Sequence, residues 1–125
     1  MVTTREGPDG RAELGRRGED LAAAYLTEHG WVLLDRNWRC RGGELDVVAT
    51  DGDRLVVAEV KTRSGTGYGL PAEAVTRTKA ARIRRLAHTW LTEHHVRVCE
   101  VRFDVLAVLL VPGESPRIEH YEGAF

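Results

Sequence analysis

An α/β domain, with a mixed β-sheet and helices packed on it, is the fold class the sequence predicts. Three observations carry the expectation. Apolar residues recur at three- and four-residue steps in two long segments. Asp51-Gly52-Asp53 separates two runs rich in Val, Leu and Ala. Helical and strand-like stretches follow one another as helix, strands, helix, strands, with no repeat and no internal boundary. A chain of 125 residues with 42% apolar and 30% charged residues is the size and composition of one globular domain with its own core.

Residues 1–10 read as a disordered lead-in, polar and turn-prone, without a signal-peptide pattern. Residues 11–125 read as a single domain. From Arg11 to His29, Leu14, Gly18, Leu21, Ala22, Tyr25 and Leu26 form one apolar helix face, and Gly30 is a natural stop. Trp31 to Leu34 is a short strand bounded by Asp35-Arg36-Asn37. Leu45–Thr50 and Arg54–Lys61 form a hairpin across the Asp-Gly turn. Residues 62–72 hold three glycines and a proline and read as a loop. A second helix is expected over Ala72–His94, then one long or two short strands within Val96–Val111, and a last strand at Arg117–Tyr121. Apolar runs such as Val105–Val111 are only about seven residues long, too short for a membrane span. Cys40 and Cys99 are too few for a disulfide framework and too far apart in sequence for a metal-type pair, which fits two free thiols in a cytoplasmic protein.

The formal net charge of −1 argues against a nucleic-acid partner when taken as an average. The distribution qualifies it. Residues 74–92 carry Arg77, Lys79, Arg82, Arg84 and Arg85 and no acid, whereas residues 100–125 carry five acids against Arg102 and Arg117. A solvated helix face and a phosphate-binding face are both open readings of the arginine run, which Arg63, Arg39 and Arg41 would extend. Of the 18 basic residues only Lys61 and Lys79 are lysines.

Asp46, Glu59 and Lys61 stand out because they interrupt apolar strands, where a charge is costly unless paired or bound to a cation. Opposed residues of an antiparallel pair share a face. A two- or four-residue turn puts all three side chains on one face, and a three-residue turn splits them. Two carboxylates with a free side suit Mg²⁺ or Mn²⁺, and a nearby ammonium suits a metal-bound water or a reacting phosphate. Zinc is disfavoured because no Cys or His lies at ligand spacing; His94-His95 sits at a helix end and reads as solvated. The structural alternative is an ordinary Asp46–Lys61 cross-strand pair with Glu59 on an exposed edge. Glu19 borders the apolar face of the first helix, within reach of the sheet or simply in solvent.

The blocks Gly15-Arg-Arg-Gly-Glu-Asp-Leu-Ala, Gly43-Glu-Leu-Asp-Val-Val-Ala, Val57-Ala-Glu-Val-Lys-Thr-Arg63 and Arg102-Phe-Asp-Val-Leu-Ala-Val resemble the YraN-type family of uncharacterised bacterial proteins. That family is similar to archaeal Holliday-junction resolvases and to the PD-(D/E)XK nuclease superfamily, and the resemblance covers about residues 12–122. It implies a restriction-endonuclease-like core and metal-dependent hydrolysis of DNA phosphodiesters, with branched or recombination DNA among the substrates. Asp46 and Glu59 fall on the superfamily's acidic metal ligands, the Val60 carbonyl on a further ligand, Lys61 on its lysine and Glu19 on its first-helix glutamate. Lys79 falls on a basic position that touches phosphate, and Arg77, Arg82, Arg85 and Arg63 would join it on nucleic acid. Leu45 stands where the superfamily often has proline. The resemblance also implies a homodimer, although no stretch marks its surface; a stacking role for Tyr68 is not expected. The competing reading is a non-catalytic nucleic-acid-binding or scaffold protein that retains the fold.

Overall fold

Turn chemistry at Asp51 sets the centre of the sheet. In the computed structural model, which describes residues 8–64, 75–97 and 99–125, the Asp51 carboxylate accepts from the N–H groups of Asp53 (3.0 Å) and Arg54 (3.2 Å). Gly52 takes a left-handed φ of 104°, which costs a residue without Cβ little. This turn joins β2 (Gly43–Thr50) to β3 (Leu55–Arg63) with Thr50 opposite Leu55, so four residues make the connection. β1 (Val32–Cys40) pairs antiparallel with the other edge of β2.

After β3 the chain returns through α2 (Arg77–Glu93) to β4 (Val101–Leu109), which lies parallel to β3 as such a crossover requires. β5 (Arg117–Tyr121) adds antiparallel to β4, giving one sheet in the order β1-β2-β3-β4-β5. α1 (Pro8–Glu28) covers one face, where Ala22 and Leu26 meet Val47, Ala49, Ala58, Leu106 and Val108. α2 covers the other, where Ile83, Leu86, Ala87 and Trp90 meet Leu45, Val48, Leu55, Val57 and Phe103. The central strands are apolar along their length because both faces are covered. The architecture is the expected mixed sheet flanked by helices. No described helix is long and apolar enough to cross a membrane.

Several boundaries differ from the sequence expectation. Residues 8–10 belong to α1 rather than to a lead-in. β1 runs through Asp35-Arg36-Asn37 to Cys40, because that polar stretch lies on the sheet edge and its side chains find partners: Arg36 donates to Asp20 (2.7 Å), and Asp35 accepts from the Trp90 indole N–H (3.0 Å). β3 includes Thr62 and Arg63, held by pairing with Val108 and Leu109. α2 begins at Arg77, not Ala72, since the Thr76 hydroxyl caps it by accepting from the Lys79 N–H (3.1 Å). The expected loop and Tyr68 fall largely among residues 65–74, outside the described residues.

α1 approaches the sheet most closely at Gly18. A Cβ there would lie 1.8 Å from Thr62 Oγ1 and 2.8 Å from Thr62 Cβ, so only glycine lets the helix sit this close to β3. The next residue is Glu19.

Candidate functional site

The regular β2–β3 pairs end at Val47 opposite Ala58, one position short of Asp46 and Glu59. Beyond that point the Asp46 side chain takes over the ladder's role, accepting from the Val60 N–H at 2.9 Å. On the other side of β2, Asn37 lies between the pairs Arg36–Val47 and Trp38–Leu45 with φ of 51°, so β1 kinks beside Asp46. Asp46 therefore sits at an opening of the strands. Val60 packs with the α1-side core, and alternation along β3 turns Glu59 and Lys61 toward α2.

The acidic pair is electrostatically strained. Burial pushes the Asp46 carboxyl up, and the adjacent Glu59 charge pushes it further, to about 8, against the lowering effect of the Val60 N–H; Glu19 adds in the same direction. Without a cation the two carboxylates thus resist being charged together. Lys79 makes a close ion pair with Glu59, while Lys61 stands 3.8 Å from the same Oε2 atom. Burial, then the neighbouring Lys79, lowers the Lys61 pKa. Burial would lower Lys79 as well, but its hydrogen bond to Glu59 and that carboxylate's charge outweigh the effect and raise it. Glu59 is not on an exposed edge: its side chain is 11% exposed, and Glu59, not Asp46, receives the lysines.

These groups open into a cleft of about 710 Å³ lined by Glu19, Asp46, Glu59, Val60, Lys79 and Arg82, with the β1–β2 turn on its rim. Two oxygen donors forced together fit a hard divalent cation. Among the described residues no group of three His, Cys, Asp or Glu side chains could hold a metal by itself, so an ion at this pair would need main-chain or water ligands in addition.

The basic residues divide. Arg82 lines the cleft and also an adjoining cavity of about 470 Å³, where it meets Arg41 and Arg85. Arg39 lines the main cleft and pairs with Glu44 at 3.4 Å. Arg77 is exposed and does not line these cavities; Arg63 is half-buried at the end of β3. Arg84 lies over the Phe103 ring, 4.6 Å from its centroid. His94 is exposed, as expected, but stacks on Trp90 at 4.1 Å and its Nδ1 lies 2.8 Å from that residue's carbonyl. Both cysteines are free.

One cluster was not anticipated from the sequence. Asp104, one of the five acids of residues 100–125, is fully buried. Its carboxylate accepts from Arg102 through both oxygens (2.9 Å each) and from the Gly123 N–H (3.0 Å), and it lies 2.7 Å from His120 Nε2. Burial alone would raise this carboxyl, but the hydrogen bonds win and hold it at about 2. The available signal was an acid inside the apolar strand 103–109, next to Arg102.

The chain is 57% identical over 112 residues to a UPF0102 protein of Rhodococcus opacus, covering 90% of this chain and 95% of that one. It is 60% identical over 112 residues to a UPF0102 protein of Frankia casuarinae, with the same coverage. Among solved structures, Hjc of Archaeoglobus fulgidus, a Holliday junction resolvase from an archaeal hyperthermophile, matches with a TM-score of 0.47 and 17% identity over 83% of this chain and 74% of that chain. The model of the uncharacterised protein family UPF0102 matches residues 18–108, and with these relatives it shows that the chain belongs to that family.

Proposed function

We propose that this protein is a metal-dependent endonuclease that hydrolyses phosphodiester bonds in DNA, branched DNA included. The observation that carries the reading is the Asp46–Glu59 pair, flanked by Lys61 and Lys79 and opening into an arginine-lined cleft. Asp46, Glu59 and the Val60 main chain would hold Mg²⁺ or Mn²⁺, which when bound supplies Lewis acidity toward a phosphate and lowers the pKa of a water.

The chain's own groups do the rest. Lys61, with its pKa lowered, is suited to orient a water or to offset charge developing on the phosphate. Glu19, on the cleft wall, adds an acceptor for the same water shell. Lys79, Arg82 and Arg85, extended by Arg77 and Arg63, hold flanking phosphates without reading sequence. Work as a homodimer in the cytoplasm belongs to the same reading.

The test is a cleavage assay on linear, nicked, flapped and four-way DNA with Mg²⁺ or Mn²⁺. Wild type is expected to cut, and Asp46→Ala and Lys61→Ala to lose about a hundredfold or more of the rate. If wild type and both variants leave every substrate intact, the nuclease reading is wrong. Steeply salt-dependent binding without cleavage would then favour the non-catalytic nucleic-acid-binding protein.

A further inference from the structure

We infer that Lys79 is a resident counter-ion of Glu59 which a divalent cation must displace, so that ammonium and cation compete for one carboxylate. The inference rests on the metal site proposed above and concerns its regulation. Lys61 is the lysine nearest Glu59 in sequence, yet the close ion pair is made by Lys79 of α2.

The two partners are anchored differently. Glu59 lies on a central strand with its side chain 11% exposed, whereas the Lys79 side chain is 36% exposed and reaches the carboxylate from the first turn of α2. The Thr76 cap fixes the Lys79 main chain but leaves its four-carbon stem free to turn. Lys79 can thus leave Glu59 without moving a packed element. Glu59 has no comparable freedom.

Charge balance points the same way. Glu19, Asp46, Glu59 and Lys79 line the cleft, Lys61 stands 3.8 Å from Glu59, and Lys79 makes the closer contact with a carboxylate that would ligate the metal. A dication entering beside both lysines would carry this half-buried group past neutrality. Expelling one ammonium restores the balance.

The experiment is calorimetric titration of the full chain with Mn²⁺, comparing wild type with Lys79→Met, Lys79→Arg and Lys61→Met. Thermal melts of each protein, with and without Mn²⁺, confirm folding and give a second readout. Lys79→Met is expected to bind Mn²⁺ about tenfold more tightly than wild type, the size of a lost charge-assisted contact. Its melting temperature should also gain more from Mn²⁺. Lys79→Arg should restore near wild-type affinity, and Lys61→Met should change it less than Lys79→Met. Binding by Lys79→Met alone would also support the inference. If wild type binds Mn²⁺ and Lys79→Met binds equally or more weakly, the counter-ion role is overturned while the metal site stands. If neither binds, both fall.

Discussion

Two carboxylates define this protein at the residue scale, and the fold shifts their pKa values in opposite directions. Asp46 is held near 8 by burial and by Glu59. A carboxyl whose pKa is raised on folding contributes stability that is full below its unfolded value near 4 and is lost as pH rises toward 8. Metal-free protein should therefore lose stability steadily between pH 5 and pH 8, and Asp46→Asn should flatten that slope in urea unfolding followed by circular dichroism. Asp104 behaves in reverse. With its carboxyl held at about 2, it contributes stability above pH 4 that disappears as pH falls through 2. Asp104→Ala leaves Arg102 and the half-buried His120 without their shared carboxylate and should cost about 3–5 kcal/mol at pH 7. Measured at pH 2, the same comparison should shrink markedly.

At the scale of elements, the site depends on how two helices dock on one hairpin. α1 reaches β3 only because Gly18 lacks a Cβ. Gly18→Ala should destabilise the fold by about 1–3 kcal/mol and push Glu19 away from the cleft, since the added carbon would collide with Thr62. Trimming Thr62 to Ala should relieve this only in part, because the Thr62 Cβ itself lies 2.8 Å from the added carbon. α2 is set by its cap. Thr76→Ala should cost about 1 kcal/mol, measured by thermal unfolding, and loosen the turn that carries Lys79. The helices, the hairpin and the last strand were legible in sequence because periodicity and Asp-Gly turn chemistry act over a few residues. The full length of β1 was not legible. Its polar middle is stabilised by Asp20 and Trp90, which lie 16 and 55 residues away from their partners in the chain.

Across the whole molecule, a net charge of −1 resolves into separate zones. The acidic pair lies at the cleft floor, Lys79 and Arg82 on its wall, and Arg85 with Arg41 in the cavity beyond. Asp104 is the member of the acidic C-terminal segment that turns inward. If this surface binds DNA as proposed, Arg82→Ala combined with Arg85→Ala should weaken binding similarly across sequences. The slope of log affinity against log salt should shrink by about two. Arg84→Ala should leave that slope nearly unchanged, because its guanidinium lies over Phe103, and should lower stability instead.

Local patterning alone determined the α/β class, the order of the elements and the three charged residues that do not belong in apolar strands. It left open whether the turn held two, three or four residues, and so which side chains meet. Tertiary structure decided that. The four-residue turn aligned Asp46 with Glu59, and the docking of α2 brought Lys79, rather than Lys61, into contact with Glu59. The same packing buried Asp104 against Arg102 and His120. Periodicity records which faces a segment must hide. Which charge neutralises a buried carboxylate depends on elements far apart in sequence, brought together by burial of the apolar core.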